Sequence, residues 1–168
     1  MSHAAVLALG SNLGDREQII RAGIRDIAAL PGVVVTGASG LVETPALTLH
    51  GIDTDAPTYL NAVLTVRTTL DPHELLHALN GVETEHGRVR NERWGDRTLD
   101  IDIIDVDGVV IASDDLTVPH PRAHERAFVL APWLQIVPDA TLPGFGRADA
   151  LLAATGQTPF DYPAEPLL

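Results

Sequence analysis

The segment Thr98-Leu99-Asp100-Ile101-Asp102-Ile103 constrains the fold of this chain more than any other. Its apolar residues alternate, and successive residues of a β-strand point to opposite faces. Leu99, Ile101 and Ile103 therefore mark a core-facing side, while Asp100 and Asp102 project together from the other. Residues two apart lie about 6.6 Å from each other along a strand. Carboxylates at that spacing repel unless a cation or an arginine compensates, and they can bind neighbouring hard cations. Taken alone, Asp-x-Asp is more often an ordinary solvated strand face.

The rest of the chain alternates strand and helix signals. Ala4 to Leu9 is an apolar run ended by Gly10-Ser11-Asn12, a first strand and a turn. Asp15 with Gln18 resembles a capping box, Ile20, Ile24, Ile27 and Leu30 keep helical spacing, and Pro31-Gly32 ends that helix. Val33 to Thr36 reads as a strand resuming at Leu41 to Glu43, and Thr44 to Pro57 as one long loop of functional length. Tyr59 to Thr68 has strand composition. Asp71-Pro72 with Glu74 starts a second helix through Leu75, Leu76, Leu79 and Val82. Asp107-Gly108 is a hairpin turn that predicts Val109 to Ala112 as the partner of the strand ending at Val106. Helices are expected over Phe128 to Val137, with Pro132 in the first turn or bending it, and over Ala148 to Ala154. The layout is α+β, a sheet with helices on one or both faces, with a single domain over residues 1–158 and a loosely held tail at 159–168.

Composition narrows the chemistry. With 168 residues and 45% apolar content, one domain can bury a sizeable core. A formal charge of −12 argues against nucleic acid, which demands a broad basic face. There is no cysteine, so disulfides and thiolate metal sites are excluded. No run approaches the roughly 18 to 20 apolar residues of a membrane span. The first nine residues lack the basic start of a signal peptide, and the expected location is cytoplasmic.

All eleven basic residues are arginine, which removes a phosphate-binding or Schiff-base lysine. Arg88, Arg90, Arg93 and Arg97 crowd one loop with Trp94. Guanidinium forks match phosphate oxygens in pairs, so a loop of this kind leading into paired aspartates can share one polyphosphate with the metals. The alternative is a solvated loop whose arginines pair with nearby acids. Trp94 fits a lid over a ligand. His120, between Pro119 and Pro121, can donate to a phosphate or satisfy a backbone carbonyl. Tyr59 and Asn61 share a strand face, which suits either a planar heterocycle or a buried tyrosine beside a turn-forming asparagine.

Arg93-Trp94-Gly95-x-Arg97-Thr98-Leu99-Asp100-Ile101-Asp102 resembles the signature of the 6-hydroxymethyl-7,8-dihydropterin pyrophosphokinase family. Leu9-Gly10-Ser11-Asn12-Leu13, Thr44-Pro45, Tyr59-Leu60-Asn61-Ala62, Gly87-Arg88-Val89-Arg90, Thr117-Val118-Pro119-His120 and Arg126-x-Phe128 match in the family's order, from about residue 4 to residue 138. The resemblance implies a ferredoxin-like α+β fold, mainly antiparallel, with helices packed on its faces. It implies transfer of pyrophosphate from ATP to the hydroxymethyl group of the dihydropterin, with AMP released, in folate biosynthesis. Two Mg²⁺ ions bridging the ATP phosphates would sit on Asp100 and Asp102, and Arg88, Arg97 and His120 would join those aspartates in catalysis.

The nucleotide would also meet Arg90, Arg93, Trp94, Arg126, Asn80, Glu83, Ile103 and Thr117. The pterin would contact Thr44, Pro45, Leu47, Tyr59, Asn61, Trp94, Asp100 and Phe128. A monomer acting on these two small molecules, without nucleic acid or membrane, is the expected form. The chain departs from the family pattern at Asp96, where proline is usual, at Asp115 and Pro121, and in lacking Gln-Pro before Tyr59. A non-catalytic pterin- or nucleotide-binding regulator on the same fold is the principal rival, and an unrelated metal-dependent phosphotransferase another.

Overall fold

The computed structural model describes residues 2–12, 15–44, 46–48, 51–53, 58–86 and 99–168. Strand β1 (His3–Ser11) leads into helix α1 (Arg16–Ala29), which carries the chain to β2 (Val33–Ala38) and β3 (Leu41–Thr44). Two short strands, β4 (Ala46–Thr48) and β5 (Gly51–Asp53), pair with each other inside the stretch read from sequence as a structureless loop. The long strand β6 (Tyr59–Thr68), helix α2 (Pro72–Glu85) and β7 (Asp100–Val106) follow. Beyond them come β8 (Ile111–Ala112), β9 (Thr117–Val118), a 3-10 turn at Ala123–Glu125, α3 (Ala127–Ile136), β10 (Thr141–Leu142), β11 (Gly146–Arg147), α4 (Ala148–Thr155) and β12 (Phe160–Tyr162).

The main sheet runs β12-β3-β6-β1-β7, with β2 pairing on β6 beside β3. Every pairing in it is antiparallel. The units β1-α1-β2 and β6-α2-β7 are interleaved: β6 lies between β1 and β2, and β1 lies between β6 and β7. This is the split βαβ arrangement of ferredoxin-like folds, as the resemblance implies. Where β2 gives way to β3, Ser39 substitutes for a strand residue. Its backbone N–H donates to Val63 O, and its Oγ accepts the Val63 N–H, both at 2.9 Å.

Two cores flank the sheet. On one face Ile20, Ile24 and Ile27 of α1 and Leu75, Leu79 and Val82 of α2 pack on Leu7, Leu9, Leu60, Leu64, Ile101 and Ile103. On the other, Val129, Leu130 and Trp133 of α3 meet Val63 and Ile104, together with Leu142 and Ala148. The β7 alternation is therefore as read: Leu99, Ile101 and Ile103 belong to the first core, and the face of Asp100 and Asp102 is the one that α3 and α4 cover further along. Asp71 caps α2 in both directions of a capping box, accepting from Glu74 N at 2.8 Å while Glu74 Oε1 accepts from Asp71 N at 3.1 Å.

One strand pairing differs from the sequence reading. Asp107 and Gly108 do turn the chain, both with positive φ and with Val109 N–H donating to Val106 O, but β8 pairs with β9 rather than with β7. The turn is drawn toward β1, because Asp107 accepts from Ala4 N at 2.8 Å and pairs with His3 at 2.7 Å. The outer edge of β7 is used instead by His120, whose N–H donates to Ile104 O at 2.9 Å. Pro132 stands at the sixth position of α3, past its first turn. The segment 159–168, read from sequence as a loosely held tail, contributes β12 to the sheet edge, and Arg21 donates to the carbonyls of Glu165 and Pro166.

Candidate active site

Strand register brings the polar residues of three strands onto one face. Gly10 of β1 lies opposite Asn61 of β6 on one side and opposite Asp100 of β7 on the other. Two residues along, Ala8 lies between Val63 and Asp102. Asn61, Gly10 and Asp100 thus form a row about 10 Å long, two interstrand spacings of about 4.8 Å. The middle member must be small. A Cβ on Gly10 would meet Asn61 Oδ1 at 2.7 Å, so glycine leaves the Asn61 amide room to lie across the row. The sequence reading took Gly10 only as the start of a turn. Its role between two strands becomes visible only once their register is known.

Thr44 pairs with Tyr59 at the end of β3 and β6, and Asn61 Nδ2 donates to Thr44 Oγ1 at 3.4 Å. Phe128, in the first turn of α3, is half-buried against the second core, and the Arg126 guanidinium lies 5.6 Å from its ring centroid. Thr44, Tyr59, Asn61, Asp100 and Asp102 therefore come to one sheet face, with α3 alongside.

Asp102 sits between a guanidinium and an imidazole. Arg126 Nη1 is 3.8 Å from its Oδ2, and His120 Nε2 is 3.9 Å away. The Asp102 side chain is 46% exposed and His120 only 17%. His120 Nδ1 accepts the Arg122 N–H at 3.2 Å, so the proton of the neutral ring is on Nε2, facing Asp102. Burial holds the His120 pKa below its ordinary value; Asp102 opposes this, and Arg126 and Arg122 reinforce it. The neutral, Nε2-protonated ring is thus the favoured form, a hydrogen-bond donor that adds no charge.

That shift has a sign in stability. Because the folded pKa lies below the ordinary histidine value of 6.5, the unfolded chain takes up this proton first on acidification. The stability contributed is complete above that value and is lost as pH falls through the folded pKa. In magnesium-free buffer, Tm is expected to fall less between about pH 7.5 and about pH 5.5 in His120→Gln than in the unaltered chain. Equal falls would contradict the assignment.

A cleft of about 260 Å³ opens at the β7 edge, lined by Asp102, Ile103, Thr117 and His120 together with Leu76, Asp114, Leu116 and Pro121 among others. Ile103, Thr117 and His120 had been linked to the nucleotide from sequence, whereas Leu76, Asp114 and Leu116 had not. The half-buried Leu76 was read only as part of the α2 apolar face. Asn80 and Glu83 are outside this lining. Glu83, 4% exposed, accepts the Ile101 N–H at 2.9 Å and fastens the last turn of α2 to β7. Pro45, Arg88, Arg90, Arg93, Trp94 and Arg97 lie outside the described residues, as does the side chain of Leu47.

Among the described residues, no group of three or more His, Cys, Asp or Glu is placed to hold a metal unaided. Two carboxylates on one face suit a hard cation that takes its remaining ligands from phosphate and water, the usual way of binding Mg²⁺. The donor set therefore fits that ion. No helix among the described residues is long and apolar enough to cross a membrane.

Comparison with known proteins gives a consistent result. The model of the 7,8-dihydro-6-hydroxymethylpterin-pyrophosphokinase (HPPK) family matches residues 6–138. The chain is 39% identical over 147 residues to the 2-amino-4-hydroxy-6-hydroxymethyldihydropteridine pyrophosphokinase of Methylorubrum extorquens, covering 88% of this chain and 90% of the relative. It is 40% identical over 136 residues to the protein of the same name from Bacillus subtilis, covering 81% and 79%. A crystal structure of a Plasmodium falciparum HPPK-DHPS shares the fold with TM-score 0.72 at 13% identity, covering 92% of this chain and 43% of that longer one. The chain belongs to the 7,8-dihydro-6-hydroxymethylpterin-pyrophosphokinase family.

Proposed function

We propose that the sheet face bearing Asn61, Gly10, Asp100 and Asp102 is where the pterin and the ATP triphosphate meet. The chain is a pyrophosphokinase of folate biosynthesis, which transfers pyrophosphate from ATP to 6-hydroxymethyl-7,8-dihydropterin and releases AMP. The row Asn61–Gly10–Asp100 carries this reading, because it sets an amide suited to a heterocycle edge about 10 Å from a carboxylate suited to a metal-phosphate. In this assignment Thr44, Pro45, Leu47, Tyr59, Asn61 and Phe128 receive the pterin. Tyr59 and Phe128 supply ring faces, and the Asn61 amide reads the polar edge.

The triphosphate falls to Asp100, Asp102, His120 and Arg126, with Arg88, Arg90, Arg93, Trp94 and Arg97 closing over ATP. Ile103 and Thr117 line the cleft next to Asp102, and this reading assigns that cleft to the adenine. Asn80 and Glu83 of α2 are assigned to the neighbourhood of the nucleotide on the resemblance alone. The proposed location is the cytoplasm and the proposed form a monomer, a reading supported by helices of the same chain covering both sheet faces.

The reaction is an in-line displacement. The hydroxymethyl oxygen bonds to the β-phosphorus, the bond from that phosphorus to the α,β-bridging oxygen breaks, and AMP leaves with the bridging oxygen. The hydroxyl proton passes to solvent. Such transfers depend chiefly on position and charge neutralisation. Two Mg²⁺ ions held by Asp100 and Asp102 would supply neutralisation of the triphosphate and a lowered hydroxyl pKa. Arg126 adds a fixed positive charge, and His120 donates Nε2–H to a phosphate oxygen without needing protonation.

The purified chain with ATP, Mg²⁺ and the hydroxymethyl dihydropterin is expected to form AMP and the dihydropterin diphosphate in equal amounts, with neither formed when the pterin is omitted. Tight pterin and ATP binding without AMP formation would favour the regulator reading instead.

A further inference from the structure

Arg16, the first residue of α1, was assigned no part in the site, yet it joins the two strands that carry the proposed pterin contacts. Its Nη1 donates to Glu43 Oε2 at 3.1 Å, to Thr58 O at 2.9 Å and to Thr58 Oγ1 at 2.5 Å. Thr58 Oγ1 in turn donates to Glu43 Oε2 at 2.7 Å, which closes a three-residue ring of contacts. The Arg16 side chain is 23% exposed and that of Glu43 33%. The Glu43 carboxyl is held below its ordinary pKa by the Thr58 hydroxyl, against a smaller opposing effect of burial and with help from Arg16.

The location gives these contacts their meaning. Glu43 immediately precedes Thr44, and Thr58 immediately precedes Tyr59. Thr44 opposite Tyr59 is the last register pair between β3 and β6. The terminal pair of a ladder frays first, because only one side of it is held by further pairing. Arg16 restrains both strands from the residues next to that pair. The Tyr162 ring of β12 lies 5.9 Å from the Arg16 guanidinium, and β12 itself pairs with β3 from Leu41 to Glu43. Tyr162 lies beyond the region matched by the family model, residues 6–138, so part of this support comes from outside that region.

We propose that Arg16 is a positioning residue for the pterin half of the site: through Glu43 and Thr58 it sets the separation of Thr44 and Tyr59, which rests on the reading that these residues and Asn61 receive the pterin. It touches neither substrate. Its effect falls on the geometry of one subsite, while the carboxylates of β7, two strands away from β6, keep theirs.

The test compares steady-state kinetics of Arg16→Met, Arg16→Lys, Thr58→Val and Asn61→Ala. Arg16→Met is expected to raise KM for the dihydropterin about tenfold, leaving KM for ATP within about twofold. Arg16→Lys, which keeps a cation able to reach both partners, restores most of the loss. An unchanged pterin KM in Arg16→Met overturns the proposal. So does an equal rise in both KM values, which marks a merely structural role. If Arg16→Met does not fold, Thr58→Val decides in the same way: a pterin-selective rise of about threefold supports the proposal, and no rise overturns it. Asn61→Ala separates this proposal from the reading beneath it. If Asn61→Ala leaves pterin KM unaltered, the pterin face itself is misassigned. If Asn61→Ala weakens pterin and Arg16→Met does not, only the role of Arg16 is lost.

Discussion

Asp102→Ala is expected to lower turnover by about a thousandfold or more while the fold survives, and Asp100→Ala to do the same. Both residues face away from the first core, and among the described residues the ion pairs of Asp102 are long, 3.8 Å to Arg126 and 3.9 Å to His120. Removing the Asp102 carboxylate breaks no short ion pair among the described residues, so little stability is at stake there. What is lost is negative charge at the place where the metal-bound phosphates are to be held. Arg126 and His120 cannot replace it, since both carry donors rather than acceptors toward Asp102. The measurement is AMP formation under saturating substrates, with circular dichroism and a melting curve confirming the fold. A folded Asp102→Ala variant with turnover within tenfold of the unaltered chain would remove the carboxylate pair from the mechanism.

The second large effect comes from a residue that does no chemistry. Gly10→Val is expected to weaken dihydropterin binding about a hundredfold, about 2.7 kcal/mol, with affinity for an ATP analogue within about threefold. Even the first carbon of a side chain there comes within 2.7 Å of Asn61 Oδ1. Asn61 is 7% exposed, so its amide has little space into which to retreat. Valine suits a strand backbone, so β1 itself is expected to persist. Calorimetric titration of each ligand separates the two subsites. Unchanged pterin affinity in folded Gly10→Val would mean that the Asn61 amide does not read the pterin.

Much of the frame could be read from local chemistry. Asp71, Pro72 and Glu74 announce a helix start because all three act within one turn, and the structure shows both capping bonds. The Leu99, Ile101 and Ile103 alternation shows which way Asp100 and Asp102 point, since period two permits only one partition of the faces. Readings failed where the answer depended on a distant segment. Asp107-Gly108 signals a reversal, but nothing in it says that Ala4 and His3 will take the Asp107 carboxylate, or that β8 will turn to β9. The pairing of Phe160–Tyr162 with β3 spans more than a hundred residues, and no local pattern marks it.

The site shows the same division. Asp100 with Asp102, and Tyr59 with Asn61, could be paired from sequence because each pair lies on one strand. That Asn61 and Asp100 flank Gly10 required the register of three strands, which two separate helical crossovers determine. Arg16 lies in the first turn of a helix, where an arginine looks like solvated surface. Only the packing of α1 against β1, β2 and β6 brings it to Glu43 and Thr58. The recognisable motifs thus mark the groups that meet substrate, while the residues that space those groups carry no motif.

The most direct test of the carboxylate face is a crystal structure grown with Mg²⁺, a non-hydrolysable ATP analogue and the pterin. Metal is expected within about 2.1 Å of oxygens from both Asp100 and Asp102, each ion also bound to phosphate, with the pterin edge at Asn61. Phosphates and metal held elsewhere, with both aspartates bare in the presence of bound nucleotide, would contradict it.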